Sequence, residues 1–154
     1  MKRFTRSICL PLLLALVSLA AVTQPVLGSE GGEGCTRTQG YWKNHPNAWP
    51  TSSLTLGGLT YTKAQLLAIL NTPTQGNGAV SLMRQLIAAK LNVIATGISD
   101  SGMLSAINAA NALLTSCGNV KVPTCVLDPS LTSDLVDTLD DYNNGILGPG
   151  HCTE

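Results

Sequence analysis

From Tyr61 onward, apolar side chains recur every three or four positions between polar stops, the spacing of helices that bury one face. The first such helix is expected from Tyr61 to Thr72. Thr62 and Gln65 form a capping box, Tyr61 can staple onto Leu66, and Pro73 forbids continuation. Leu66, Leu67, Ile69 and Leu70 are its apolar positions. A second helix, about Ala79 to Ala95, carries Leu82, Met83, Leu86, Ile87, Leu91 and Ile94 and is the expected centre of the fold, with Gly97 as its left-handed stop. A third, about Ser101 to Ser116, repeats Met103, Leu104, Ile107, Ala110 and Leu114, with Ala106, Ala109 and Ala112 allowing close approach. A fourth opens on Asp128 with Pro129 at its first position and buries Leu131, Leu135, Leu139 and Tyr142, while Ile146 folds back past the Asn143–Asn144–Gly145 stop. No strand survives beside these helices.

Residues 51–60, TSSLTLGGLT, read as a loop that dips Leu54, Leu56 and Leu59 into the core. Gly40, Pro46 and Pro50 argue for an irregular arm over 35–50, with one helical turn near Lys43 to His45. The expected architecture is therefore all-α: a small bundle of about four helices, closed by an aromatic-rich N-terminal arm and the segment ILGPGHCTE.

The first 28 residues change this picture, because Lys2, Arg3 and Arg6 precede an apolar run from about Ile8 to Val22 and then Thr23, Gln24 and Pro25. That order is a secretory signal peptide, with cleavage expected after Gly28 or, alternatively, near Ala21. Cys9 lies within it without a lipobox. Residues 29–34 read as a flexible N-terminus and 35–154 as one domain. The leader holds three of the nine basic residues and no acid, leaving six against nine, a net charge of −3. A chain of that balance has no stripe for nucleic acid and no basic face for a membrane surface, and no cofactor is called for.

Cys35, Cys117, Cys125 and Cys152 remain, an even count in an exported chain, which points to two disulfides. Of three possible pairings, Cys117 with Cys125 closes a short loop and Cys35 with Cys152 ties the domain ends together. The chain-entropy argument gives about 2.5 and nearly 5 kcal/mol for the two loops. The alternative, a zinc site joining these cysteines to His45 or His151, has no CxxC pair behind it.

Candidate chemistry concentrates in CTRTQGYWKNHPNAWP, residues 35–50. Tyr41, Trp42, Trp49 and Tyr61 can plug the end of a Leu/Ala bundle. Alternatively Tyr41, Trp42, Lys43, Asn44, His45 and Trp49, beside Gln39, form a face for an extracellular sugar or peptide. His45 and His151, drawn together by the terminal disulfide with Lys43 and Glu154 near, make a two-imidazole corner for a metal ion or metal-dependent chemistry, short of a third ligand. Asp134, Asp137, Asp140 and Asp141 lie along a helix and cannot wrap calcium. No GxSxG, HExxH or free cysteine points to a hydrolase, and a glycosidase would need two acids facing across a cleft, whereas the glutamates, Glu30, Glu33 and Glu154, all sit at the ends of the chain.

The segments CTRTQGYWKNHP, QLIAAKLN (85–92) and DDYNNGILGPGHC together resemble a family of small bacterial extracellular domains with a CTxTQGYWKNHP motif and a closing YNNGxxGPGHC motif. The resemblance covers nearly all of the chain after the leader. It implies a secreted helical module, assigns no catalytic residue, and matches Cys35 and Cys152 to the cysteines that begin and end the domain. The expectation is an extracellular or envelope interaction or structural module whose partner is a protein or glycan, more readily a binder than an enzyme.

Overall fold

A computed structural model describes residues 34–98 and 100–153, so the expected signal peptide, Cys9 and Glu154 lie outside the described residues. Among the described residues, five α-helices and one hairpin run in the order α1 (Gln39–Asn44), β1 (Ser53–Leu56), β2 (Leu59–Thr62), α2 (Lys63–Asn71), α3 (Gly78–Thr96), α4 (Ser101–Thr115) and α5 (Ser133–Asn143). Short 3-10 turns at Pro46–Ala48 and Pro129–Leu131 precede the hairpin and α5. The fold is mostly helical rather than all-α.

Helix α3 is central, as its apolar spacing predicts. It packs most extensively on α5 and also meets α1, α2 and α4. Leu82, Met83, Leu86, Ile87 and Leu91 are buried along it. Asn77 caps its start and Gly97, in the left-handed region at φ 67°, ends it. The Asn77 side chain does more than cap. Its Oδ1 accepts from Ala79 N and Leu127 N, and its Nδ2 donates to Pro123 O and Cys125 O, so one amide also clamps the 123–127 connector.

Residues 53–62 correct the expected loop. Leu54 and Leu56 are buried while Ser53 and Thr55 face out, the alternation of a half-buried strand. Gly57 and Gly58 have φ of 55° and 79°, the two left-handed positions that a two-residue hairpin turn demands. Pairing runs Ser53↔Thr62, Leu54↔Tyr61, Thr55↔Thr60 and Leu56↔Leu59. With Leu56 and Leu59 flanking the turn, the carbonyls of Thr55 and Thr60 point outward, one from each edge. Lys90 Nζ donates to the first at 2.7 Å and Lys121 Nζ to the second at 3.1 Å. A charged lysine on each edge is the device that discourages further strand pairing.

Other helix expectations need local correction. Asp128 accepts from Ser130 N, yet the helix it opens is only the 3-10 turn, because the backbone bends at Thr132 (φ −116°) before α5 starts. Leu131 is thereby turned to solvent at 62 % exposure, while Leu139 and Tyr142 are buried as expected and Leu135 is half-buried. Ile146 also points outward. The left-handed Gly145 turns the chain so that residues 150–151 lie directly on it, where a Cβ would strike the His151 backbone. Ile94 and Leu104 sit on solvent-facing turns of α3 and α4, and Ala109 and Ala112 are exposed, leaving Ala106 and Ala110 as the close-packed pair.

Both expected disulfides form. Cys35 and Cys152 have Cα atoms 4.9 Å apart, and Cys117 and Cys125 5.7 Å. With all four sulfurs paired, none is left as a zinc thiolate.

Candidate functional site

The expected arm is a short helix. Thr38 caps α1 by accepting from Tyr41 N at 3.0 Å, and Pro46 limits its length. Trp42 is 3 % and Trp49 7 % exposed. The Trp49 indole N–H donates to Trp42 O at 2.7 Å, and that of Trp42 to Asn92 Oδ1 at 3.1 Å. Tyr61 is buried in the same core, where loss of water raises its phenol pKa and a hydrogen bond with the Val122 backbone offsets part of the rise. The two tryptophans are thus interior, and burial removes them from a stacking face for sugars.

Asn92 is the residue that the apolar pattern of α3 conceals. Its side chain is fully buried and fully satisfied. Oδ1 accepts from Arg37 N (2.9 Å) and Trp42 Nε1, while Nδ2 donates to Arg37 O (2.8 Å) and Asn143 Oδ1 (3.0 Å). Asn143, also fully buried, donates to Gln85 O (3.0 Å) and Gln85 Oε1 (2.9 Å), and Gln85 Nε2 reaches Asp140 Oδ1 at 2.8 Å. One amide chain therefore runs from the arm through α3 to α5. Gln85 and Asn92 stand seven positions apart, two helical turns, on the inward face of α3. That spacing of two polar residues in an apolar stripe was the sequence signal for the network. Of the four expected acids on α5, Asp140 turns inward to this chain, and Asp134 and Asp137 are exposed.

Residues 35–36 and 150–152 are joined to one another. Thr36 and His151 form a parallel bridge, with Thr36 N donating to Gly150 O at 2.7 Å and Cys152 N to Thr36 O at 3.0 Å. The His151 and His45 side chains are both exposed. His45 is engaged locally, its Nδ1 lying 2.9 Å from Tyr41 O. Because a carbonyl only accepts, Nδ1 carries the proton. Among the described residues no three His, Cys, Asp or Glu side chains are grouped to hold a metal ion.

What remains on the surface is the other side of α1. Tyr41 is half-buried. Its ring meets Trp42 edge-on at 5.3 Å, the His45 imidazole at 4.2 Å and 20°, and the Arg37 guanidinium at 4.0 Å. On the opposite flank of α1, Arg84 Nε donates to Gln39 Oε1 at 3.1 Å, while Lys43 is half-buried and Asn44 exposed. A dent lined by Leu56, Tyr61, Met83, Leu114, Val120 and Val122 has no room for a water molecule and is packing, not a binding cavity.

The chain matches no protein-family model, no curated protein and no solved structure. Residues of the segments 35–46, 85–92 and 140–152 converge on one feature, since Arg37 and Trp42, Gln85 and Asn92, and Asp140 and Asn143 are the members of the amide chain. No helix among the described residues is long and apolar enough to cross a membrane.

Proposed function

We propose that the chain is a secreted, non-enzymatic interaction or structural module of the cell envelope or extracellular matrix. The observation that carries this reading is the Asn92 amide chain, which together with the terminal disulfide uses the chemically distinctive residues of the motif to close the body. Trp42 and Trp49 give their indole N–H groups to that closure. Two disulfides suit an oxidising compartment.

The test is co-sedimentation of the purified, oxidised mature chain with envelope and matrix material from the producing cells. Saturable sedimentation that is lost after reduction and unfolding is the expected result. A protein that stays in the supernatant at all loads refutes the reading.

A second reading, a carbohydrate- or peptide-binding domain, is favoured by the stacked surface on α1. It now rests on Tyr41, Lys43, Asn44 and His45, joined by Arg37, without the two buried tryptophans.

A further inference from the structure

We propose that the Arg37–Tyr41–His45 stack is a recognition surface for the carboxylate groups of an acidic polysaccharide. The inference rests on the reading of the chain as an interaction module and names its ligand. Arg37 Cζ lies 4.0 Å from the centre of the Tyr41 ring, and the His45 ring centre 4.2 Å from it. Two flat groups at those distances collide if they share one face of the phenol, so they occupy opposite faces.

The guanidinium is placed by stacking alone. No protein group among the described residues hydrogen-bonds its fork, while Asn92 holds the Arg37 backbone from both its N–H and its carbonyl. An arginine with a fixed root, a fixed plane and free N–H donors suits bidentate carboxylate binding. The entropy cost of ordering that side chain is already met in the free protein. On the other face, the proton on His45 Nδ1 leaves Nε2 of the neutral ring as an outward acceptor for a sugar hydroxyl.

Two further cations lie across the crest of α1 from the stack: Arg84, held by Gln39, and Lys43. Among the described residues none of Arg37, Lys43 and Arg84 pairs with a carboxylate. Of the six acids among the described residues, four lie on α5. The exposed crest of α1 carries Gly40 and Asn44, and the missing side chain at Gly40 lets a polymer lie close. A nucleic acid fits less well, because both faces of Tyr41 are covered and no ring is free for base stacking.

The experiment titrates the oxidised mature protein with oligogalacturonate and with its methyl ester, which keeps the sugar rings and removes the charge, by calorimetry at low salt. The acid is expected to bind, about tenfold or more tighter than the ester, with affinity falling as salt rises. Arg37→Gln should weaken binding about tenfold, and Arg37→Lys should recover only part, because an ammonium lacks the fork. Lys121→Gln, which removes the same charge from the hairpin edge, should leave affinity unchanged. Thermal unfolding checks that Arg37→Gln is folded, since the Asn92 bonds use only the Arg37 backbone. Absence of binding to the acid, equal binding of the ester, or an Arg37→Gln variant that binds like the parent overturns the proposal. So does duplex DNA bound more tightly than uronate with the same Arg37 dependence. If uronate fails while envelope co-sedimentation persists, the ligand is wrong and the module reading stands. If both fail, the module reading fails with it.

Discussion

Replacing Asn92 by leucine should be among the most damaging single changes that keep the number and branching of side-chain heavy atoms. Four hydrogen bonds end on that amide. Leucine strands Trp42 Nε1 and Asn143 Oδ1 in the interior, at about 2 kcal/mol each. The Arg37 N–H and carbonyl are partly exposed and can recruit water, adding about 0.5 kcal/mol each. The buried leucine methyls return about 1–2 kcal/mol. The net loss is about 3–4 kcal/mol. With a guanidinium m-value of about 3 kcal/mol/M for a domain of this size, the midpoint falls by about 1 M. Denaturation followed by tryptophan fluorescence, disulfides intact, reads it directly, because Trp42 is one of the orphaned partners. Asn92→Asp separates polarity from pairing. It keeps the two acceptor contacts but sets a buried charge against Arg37 O and Asn143 Oδ1, so it should be worse than leucine at neutral pH and recover as the carboxyl protonates. Combining Asn92→Leu with Asn143→Leu should cost less than the sum of the two, since the pair loses a shared bond only once. An Asn92→Leu loss below about 1 kcal/mol, or an aspartate variant as stable as the parent, would falsify the claim that this amide chain holds the arm to the helices.

Three other outcomes can be checked with the same unfolding assays. Cys35→Ser with Cys152→Ser opens a separation of 117 residues and should cost about 5 kcal/mol, against about 2.5 for Cys117→Ser with Cys125→Ser across 8; the reverse ranking contradicts the chain-entropy account. Gly57→Ala should lose about 2–4 kcal/mol, because its Cβ would lie 2.7 Å from Leu114 Cβ in a left-handed backbone, whereas Gly58→Asn, with its nearest neighbour 3.9 Å away, should fall within about 1 kcal/mol of the parent. Burial holds the Lys90 ammonium below its ordinary pKa. Between that lowered value and 10.5 the unfolded chain binds a proton the native state has shed, so Lys90 makes stability rise with pH there. Burial raises Tyr61 and Tyr142, the latter also through the Asp100 charge, and they act in the opposite sense above pH 10.0. Subtracting the Lys90→Met profile isolates the lysine, and a flat difference curve across alkaline pH counts against its desolvation.

The helices of this chain were legible because each is bounded by residues with one dominant local preference. Thr62 with Gln65, Gly97 and Pro73 act within a turn of their own position, and all three fall where the pattern puts them. The misplaced stretches are those in which a local signal points to two structures. Asp128–Pro129 is as good a start for a 3-10 turn as for an α-helix, and the bend at Thr132 then decides that Leu131 faces water. The hairpin carried its own sign in Leu54, Leu56 and Gly57–Gly58, but isolated leucines among Ser and Thr also describe a loop. Only the pairing across Leu56↔Leu59 distinguishes them.

The candidate site divides along the same line. Local chemistry marks CTRTQGYWKNHP as unusual, but whether an indole serves the core or a ligand depends on a partner fifty positions away. Asn92 supplies that partner, taking Trp42 inward. Helix α1 is a single short element, so committing Trp42 to the core fixes the rotation of every other side chain on it. Arg37 is rooted by the same amide, and Tyr41 and His45 follow one helical turn apart. The buried network and the exposed stack are thus two sides of one constraint, and a change at Asn92 should loosen the surface as well as the core.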